Sequence, residues 1–335
     1  MKNFSFGIIG LALGHPLGFA KEIMALGASI DYLVYDKSQK EEQERAETLL
    51  KTYSTLKVLA NPSELIRQKV DAVLCSSQAN RHFELCAEII KSKIPLFIDK
   101  PLAPDYVLAK KIIDLAEEHQ APVMSCSVRR YSENYVSIAG LLNKGKLGQI
   151  AFAECFEPHG IPYPGYWQDL IKKSGGLAVN YGIHVIDPLV MLLGYDIESV
   201  HAYGSKHIVT ELDSEDTAII TMKYKDGRIA VGKVCGAYDY SKMPRVASVG
   251  NMVVHGTEAV VETFIDESDV KIYRQGNFGL TPTYFRRAGS PGAIQAFVNM
   301  IEDNILPIPY QEMAMVMKIL DAARKSIDTG EVIRF

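Results

Sequence analysis

The stretch that decides the fold is GIIGLALGHPLG, residues 7–18. An apolar run leads into Gly10 and a helical pattern follows, which approximates the G-x-G-x-x-G turn of dinucleotide-binding folds. Ala12 takes the place of the second glycine and His15 that of the third, with Gly14 one residue early. The methyl group of Ala12 hinders close approach of a pyrophosphate, and the imidazole of His15 must point away from the strand. Alone, the turn fits either a cofactor loop or an ordinary strand-to-helix turn.

The alternation of strand and helix continues outward from this turn. Short apolar runs alternate with amphipathic helical patterns, which indicates βαβ units and a parallel sheet covered by helices on both faces. The predicted strands are 4–10, 32–35, 58–60, 71–77, 95–99 and 122–128. The predicted helices are 16–27, 39–53, 62–69, 79–92 and 104–119.

After about residue 130 the rhythm changes. A helix at 132–144, a strand at 149–157 and a helical stretch at 177–193 precede a run of strands, and Asp226-Gly227 between two of them predicts a hairpin. Those strands are 198–204, 216–224, 228–236, 249–255, 259–265 and 268–273, with a last helical segment at 291–329. We therefore predict an α/β protein with a Rossmann-type, doubly wound parallel sheet at 1–127. An α+β domain with an open, mostly antiparallel sheet is predicted at 128–335.

Composition limits the function classes. Of 335 residues, 47% are hydrophobic and 23% charged, and the net charge of −4 gives no support for a nucleic-acid partner. No apolar run is long enough to span a bilayer, and the N-terminus is predicted to be the first strand rather than a signal peptide. The five scattered cysteines lack metal-ligand spacing, which predicts no metal site and favours reduced thiols in a cytoplasmic protein.

Asp36 lies at the end of the second predicted strand, 26 residues after Gly10. An acidic side chain at this place accepts hydrogen bonds from the adenosine ribose hydroxyls and repels a 2′-phosphate, which favours NAD over NADP. Lys37 and Lys40 are near enough in the sequence to soften that preference. The alternative is an Asp that only initiates a turn.

Lys100 follows a predicted strand in the stretch IDKP, residues 98–101. Ligands bind at the carboxyl edge of a doubly wound sheet, where a partly dry pocket would make this amine able to exchange protons. Judged from local sequence alone, an ordinary surface lysine is the better account.

The stretch GGLAVNYGIHVIDP, residues 175–188, carries a polar trio on one helical face. Asn180, His184 and Asp187 stand at i, i+4 and i+7. Pro188 should kink the helix or restart it with Asp187 as N-cap. A partly buried, satisfied histidine is the plain alternative, and one histidine with one carboxylate does not make a closed metal site.

Taken together, these blocks resemble the Gfo/Idh/MocA oxidoreductase family, which includes inositol dehydrogenases and glucose–fructose oxidoreductase. The likeness covers nearly the whole chain, and the order and spacing of the blocks make it specific. The blocks are VDAVLCSS (70–77), DKPLA (99–103), VRRYSENY (128–135), GKLGQI (145–150), GGLAVNYGIHVID (175–187), HGTEAVVE (255–262) and SIDTGEVIRF (326–335).

The resemblance implies an NAD(P)-dependent dehydrogenase or reductase that transfers hydride between nicotinamide and a carbinol or carbonyl carbon of a sugar, polyol or similar molecule. It implies a nicotinamide-binding first domain and a second domain for substrate and oligomer contacts. Lys100 would place substrate and cofactor, His184 would act as general acid/base, and Asn180 would orient the His184 ring. The implied cofactor-binding residues are Gly10, Leu11, Ala12, Leu13, Asp36, Ser77, His82, Asp99 and Lys100.

The chain departs from the family pattern beyond its altered glycine turn. Asp99 replaces a glutamate, and Ser77 begins a Ser-Gln pair in place of Thr-Pro, although His82 stands where the family histidine falls. Asn180 replaces an aspartate and cannot neutralise an imidazolium. In the serine-protease triad the same change costs roughly 10⁴ in rate.

The substrate pocket is predicted from the loop before Gly175 and from charged residues near it. Aromatic faces with a few polar tips suit a hydroxylated ring, although packing within the loop explains them equally well. The candidate substrate residues are Arg130, His159, Tyr163, Trp167 and Asp187. A small-molecule substrate and a homodimer or homotetramer are expected, with no membrane partner.

Two other functions stay open at this point. One is a catalytically weakened protein that senses cofactor or sugar and acts on a protein partner, favoured by Asn180 and by the altered glycine turn. The other uses NAD transiently in lyase or glycosidase chemistry, which needs the same hydride step.

Overall fold

The computed structural model describes residues 4–160, 164–206, 211–238, 251–264, 269–274, 283–286, 290 and 292–335. The chain divides into two compact units. The first comprises Met1–Cys126 and Pro291–Ala314, and the second comprises Ser127–Ser290 and Met315–Phe335.

Strands and helices are numbered here in chain order. The strands are β1 Ser5–Ile9, β2 Ser29–Val34, β3 Lys57–Val58, β4 Ala72–Cys75, β5 Leu96–Ile98, β6 Val123–Met124, β7 Ile150–Gly160, β8 Ile197–Ser205, β9 Thr217–Tyr224, β10 Ile229–Tyr238, β11 Asn251–Gly256, β12 Ala259–Phe264, β13 Asp269–Arg274, β14 Thr283–Arg286 and β15 Ile333–Arg334. The helices are α1 His15–Ala25, α2 Lys40–Thr52, α3 Pro62–Gln68, α4 His82–Lys91, α5 Tyr106–His119, α6 Glu133–Asn143, α7 Ile171–Ser174, α8 Leu177–Asn180, α9 Ile183–Leu193, α10 Gly292–Asp303 and α11 Tyr310–Thr329.

The sheet of the first unit confirms the predicted Rossmann architecture. Its strands run in the order β3-β2-β1-β4-β5-β6, and every neighbouring pair is parallel. Strands β1, β4, β5 and β6 are short and almost wholly buried, because helices cover both faces of such a sheet, whereas β3 at the edge is exposed. The strand order changes direction between β1 and β4, where ligands enter doubly wound folds.

Helix α10 belongs to the first unit, although the sequence analysis places its residues in the second domain. The ring of Phe297 on α10 lies 6.1 Å from that of Phe6 on β1 and 5.8 Å from that of Phe97 on β5. Aromatic packing of this kind is invisible to local periodicity, since its partners are far away in the chain. The boundary at 127/128 stays a prediction.

The predicted helical segment 291–329 is wrong as one element. It is two helices, and α10 ends before Asn304, which has a left-handed φ of 53°. Pro307 and Pro309 follow within the connection to α11. Proline cannot donate a helical hydrogen bond, and it biases the residue before it away from helical angles.

The second unit is built on a mostly antiparallel sheet, as predicted. Among the described residues, its order is β14-β13-β12-β11-β7-β10-β9-β8-β15, and β7 with β10 is the parallel pair. The β9–β10 hairpin is confirmed: Gly227 has φ of 92°, and the Tyr224 N–H donates to the Arg228 carbonyl at 2.9 Å. Helix α9 packs against β7 and β10.

The predicted helix 177–193 is interrupted, and at a different place from the one expected. The break lies at Tyr181–Gly182, where the helical stretch Ile171–Asn180 and α9 bend by 53°. Helix α9 runs through Pro188 without restarting at Asp187. A Cβ on Gly182 would lie 1.9 Å from the Ala178 carbonyl oxygen, so the bend needs glycine. The residues of α9 up to Val190 are all buried, and this packing outweighs the hydrogen bond that Pro188 removes.

All five cysteines are free, four of them buried and Cys235 half-buried. Within the described part of the chain, no single helix has both the length and the apolar character to cross a membrane. The bent pair 171–180 and 183–193 passes that test by length and composition, and most of its residues are buried inside the second unit.

Candidate functional site

Gly10 ends β1 in a conformation and a space that only glycine fits. Its φ is 76°, and a Cβ there would lie 2.6 Å from the Cβ of Ser77 and 2.8 Å from its backbone nitrogen. The Gly10 N–H donates to the Val34 carbonyl at 2.7 Å, which ties the turn to β2. The turn after β1 and the residue after β4 thus touch at the point where the strand order changes direction.

Two amides of the turn are engaged inside the protein. The Leu11 N–H donates to the carboxylate of Glu42 at 3.1 Å, and the Ala12 N–H donates to the Ser76 carbonyl at 2.9 Å. Arg45 donates to the carbonyls of Leu11 and Ala12, at 2.7 and 3.0 Å. The backbone of the turn is therefore held in place before any ligand arrives.

The next two backbone amides of the turn are candidates for binding an anion. In the described part of the chain, the N–H groups of Leu13 and Gly14 have no hydrogen-bond partner. Gly14 is the N-cap of α1 and has no side-chain cap, and Pro16 occupies the first turn. Unfilled amides and the positive end of the helix dipole suit a pyrophosphate.

His15, which stands at the third glycine position of the motif, is accommodated by a contact with Asp99. Its Nδ1 lies 2.9 Å from the nearer carboxylate oxygen of Asp99, and that oxygen also accepts from the Ser76 hydroxyl at 2.7 Å. The other oxygen accepts from the Lys100 N–H at 2.8 Å. Burial acts to raise the pKa of Asp99, but His15, Ser76 and Lys100 outweigh it, and the pKa lies below its usual value. The imidazole thus binds the end of β5 and does not block the turn.

Asp36 lines a cavity of 520 Å³ in the first unit, together with Gly10 and Ser77. Its carboxylate accepts from the Ser38 hydroxyl at 2.6 Å, from the Ser38 N–H at 3.0 Å and from Arg81 at 3.0 Å. The hydrogen bonds from Ser38, with the Arg81 charge added, hold the pKa of Asp36 below its usual value although burial opposes them. The cavity, the glycine turn and the two unfilled amides fit a dinucleotide.

Glu42 is a buried carboxylate at the same cavity. One of its oxygens accepts from the N–H of Leu11 and, at 2.9 Å, from the N–H of Asp36. Burial raises the pKa of Glu42, although these two donors act in the opposite direction. Glu42 joins the ends of β1 and β2 from helix α2.

Ser77 and Lys100 are buried just after the carboxyl ends of β4 and β5, and His82 is buried at the start of α4. The ring nitrogens of His82 lie 3.1 Å from the Leu102 carbonyl and 3.2 Å from the Ser77 carbonyl. Lys100 is 3% exposed, far from the surface lysine that local sequence favours. The first unit therefore gathers the predicted cofactor residues at one sheet edge, and their binding roles stay predictions.

His184 in the second unit is held by a hydrogen-bonded network. Its Nδ1 lies 2.8 Å from the Ser127 hydroxyl, and the Ser127 N–H donates to Asp187 at 2.9 Å. Arg130 donates to the other oxygen of Asp187 at 2.7 Å. All four side chains are at most 7% exposed. The contact at Nδ1 therefore holds the His184 ring in one orientation.

The network places Arg130 and Asp187 against each other as an ion pair, which leaves less of either charge for a substrate. Asn180 is fully buried at the end of α8, and the break at Tyr181–Gly182 separates it from His184, so the trio does not share one helix. Its part in orienting His184 stays a prediction.

The predicted aromatic loop is only partly described. His159 lies at the end of β7 and not in a loop, because β10 pairs with the strand as far as Gly160. Its ring centre is 3.7 Å from that of Tyr181. Trp167 is 4% exposed, and Tyr163 lies outside the described residues. The substrate roles of these residues stay predictions.

Sequence reasoning missed Ser127, Glu42 and Arg81. Ser127 precedes the 3₁₀ turn Val128–Tyr131 and caps it by accepting from the Arg129 N–H, which is a readable signal for a cap. Its contact with His184 spans 57 residues and has no local signal. Glu42 and Arg81 look like ordinary charges on helices.

A parallel sheet in this strand order, with a glycine turn after β1 and an acidic residue after β2, defines a dinucleotide-binding protein. The family model described as "Oxidoreductase family, NAD-binding Rossmann fold" matches residues 4–126, and the model described as "GFO/IDH/MocA C-terminal domain" matches residues 135–262. The chain belongs to the Gfo/Idh/MocA oxidoreductase family, which confirms the resemblance. It is an oxidoreductase with a nicotinamide-dinucleotide-binding domain.

A curated relative and several solved structures match over nearly the whole chain. A myo-inositol 2-dehydrogenase of Thermotoga maritima is 24% identical, over 98% of this chain and 97% of its own length. A structure described as GenD2 from gentamicin A biosynthesis in complex with NAD has a TM-score of 0.81 at 18% identity, covering 100% of this chain and 97% of its own. An NAD-binding protein from Listeria innocua has a TM-score of 0.80 at 20% identity, covering 99% and 97%. These two structures establish the shared fold.

Proposed function

We propose that the protein is an NAD-dependent dehydrogenase or reductase of a sugar, polyol or similar hydroxylated small molecule. The observation that carries this is the buried Lys100. It follows β5 at the sheet edge that holds the glycine turn, and its neighbour Asp99 touches His15 at the start of α1. The name of the Thermotoga relative supports a polyol ring as the substrate class.

A bound nicotinamide supplies the hydride acceptor or donor at the carbinol carbon. In oxidation the hydroxyl proton goes to His184, whose ring orientation is set by the Ser127 hydroxyl. The Lys100 ammonium would donate a hydrogen bond to a substrate oxygen and stabilise negative charge as the proton leaves. The N–H groups of Leu13 and Gly14 would hold the pyrophosphate, and Asp36 would bind the adenosine ribose.

The direct test is a panel of inositols, linear polyols, sugars and sugar acids, each with NAD⁺ and the purified full chain. Formation of NADH, followed by absorbance, is expected with at least one hydroxylated substrate. Nucleotide binding without turnover on any member would contradict the proposal and favour the sensing function.

The sensing function retains one specific observation, which is Asn180 where the family has an aspartate. Asn180→Asp separates the two functions. An enzyme that is merely detuned should gain activity, because the carboxylate stabilises a charged imidazole. A sensor should show no turnover in either form.

A homodimer or homotetramer in the cytoplasm completes the proposal. Tyr203 on β8 and Ile219 on β9 are partners in the sheet register and are 68% and 42% exposed. Apolar side chains this exposed on an open sheet are typical of a protein–protein interface. A second copy of the chain is the partner that fits the expected oligomer.

A further inference from the structure

The Asp36 carboxylate, which the sequence assigns to the ribose, is already largely occupied. One oxygen accepts both from the Ser38 N–H and from its hydroxyl, at 3.0 and 2.6 Å. The other accepts from Arg81 at 3.0 Å. Each carboxylate oxygen accepts about two hydrogen bonds. Asp36 can therefore accept about one more, which is too few for both ribose hydroxyls.

Arg81 lines the same cavity. It ends the 3₁₀ turn Ala79–Arg81 before α4, and its side chain is 36% exposed. One terminal nitrogen bonds Asp36, and the other lies 3.9 Å from Glu84. A guanidinium has five N–H donors in a planar fork, so it can keep Asp36 and bind a phosphate as well.

The charges that line the cavity make Arg81 decisive. Three carboxylates, those of Asp36, Glu42 and Glu84, share the cavity wall with the cations Lys37 and Arg81. An unpaired Asp36 repels a 2′-phosphate, whereas an Asp36 paired with a guanidinium has much of its charge offset. Loss of Arg81 would leave three carboxylates against one lysine.

We infer that Arg81 determines cofactor specificity by providing a 2′-phosphate contact in the adenosine cavity, so that the protein binds NADPH as well as NADH. The inference rests on the proposed function in one respect, namely that the nicotinamide cofactor binds in this cavity. It changes the expectation drawn from Asp36 alone, which is rejection of NADP.

Direct titration of NADH and NADPH, followed by nucleotide fluorescence, tests the inference without any substrate. The wild-type Kd for NADPH should lie within about tenfold of that for NADH. Arg81→Gln should weaken NADPH binding by about tenfold or more, because it removes a charge-assisted contact, and should change NADH binding by less than about threefold. Arg81→Lys keeps the charge without the fork and should fall between the two.

Lys91→Gln is the matched control, since it removes one cation and one ion pair, with Glu88 at 2.8 Å, from the far end of α4, the helix that follows Arg81. It should leave the ratio of the two Kd values unchanged. An unchanged ratio in Arg81→Gln, an equal loss for both nucleotides, or a wild type that binds only NADH would overturn the inference. Failure of both nucleotides to bind the wild type would instead contradict the proposed function.

Discussion

Ser127 is the residue on which the geometry of His184 depends most directly. Its hydroxyl lies on Nδ1 of the ring, and its N–H is fixed by Asp187, which Arg130 holds in turn. Ser127 thus links Asp187 to the histidine. This arrangement gives the ring an orienting partner in a chain whose residue 180 is an asparagine.

Ser127→Ala should lower kcat by about tenfold to a hundredfold, because the His184 ring loses its orienting partner. KM should change by less than about threefold, because the substrate loses no contact. Ser127→Thr, which keeps the hydroxyl, should restore most of the rate. Steady-state kinetics on a substrate found in the panel measures both.

Ser137→Ala is the matched control for a buried serine of the same unit, since its hydroxyl donates to the Glu133 carbonyl at 2.6 Å. It should leave kcat unchanged. Equal losses in the alanine and threonine variants at 127, or in the control, would contradict the positioning role.

Asp99 should make stability depend on pH. The pKa of Asp99 is lowered in the folded protein, so its contribution to the free energy of unfolding is complete above its pKa in the unfolded chain, about 3.9. That contribution is lost as the pH falls through the folded pKa. Asp99→Asn should reduce the free energy of unfolding by about 3 kcal/mol at pH 7, and the difference from wild type should shrink towards pH 3. Urea unfolding across this range measures it.

Asp114→Asn provides the comparison, because Asp114 is an exposed partner of Lys110 on α5. Its effect should be small throughout. A destabilisation by Asp99→Asn that stays constant from pH 7 to pH 3 would contradict the buried ionised role.

At the scale of elements, the turn between β1 and α1 carries the cofactor claim. Gly10 must be glycine for its φ and for its contact with Ser77, whereas Gly14 has φ of −80° and open space around it. The two glycines are thus a matched pair within one loop.

Gly10→Ala should destabilise the first unit by about 2 kcal/mol or more and weaken NADH binding at least about tenfold, because Ser77 must move away from the turn. Gly14→Ala should leave the stability close to that of wild type and the Kd for NADH within about threefold of the wild-type value. Thermal unfolding and NADH fluorescence measure the two effects. Similar losses in the two variants would mean that the turn does not bind the cofactor.

The elements also show which sequence signals are reliable. The parallel strands were predictable because short apolar runs between amphipathic helices have few other interpretations. Pro188 misled because burial of α9 outweighs a missing hydrogen bond, whereas the prolines at 307 and 309 do mark the gap between α10 and α11. The break at Gly182 depends on a contact with Ala178 that no local pattern shows.

At the scale of the whole molecule, the family blocks identified both domains, but not the connections among side chains far apart in the sequence. The packing of α10 by Phe297, the Ser127–His184 hydrogen bond and the Asp36–Arg81 pair each join residues at least 45 positions apart. Composition and periodicity report neighbours along the chain only. The individual residues of the site were therefore predictable from the sequence, but the hydrogen bonds and ion pairs that connect them were not.

Oligomer formation should depend on the exposed side chains of β8 and β9. Ile219→Asp combined with Tyr203→Asp should convert the predicted dimer or tetramer to a smaller species, because two carboxylates would replace apolar surface. Val107→Asp on α5, at a residue 67% exposed, is the control and should leave the mass unchanged. Light scattering gives the mass. A monomeric wild type would contradict the prediction.

The central proposal, which the family resemblance implies, is that Lys100 and His184 both take part in hydride transfer. The most direct measurement is a double-mutant cycle on kcat with Lys100→Met and His184→Asn, with NADH binding and circular dichroism as checks on folding. Each single variant should lose about 10² to 10⁴ in kcat with NADH binding kept, and the double variant should lose little more than the worse single one. Losses that multiply, or a His184→Asn variant near wild-type kcat, would contradict the claim.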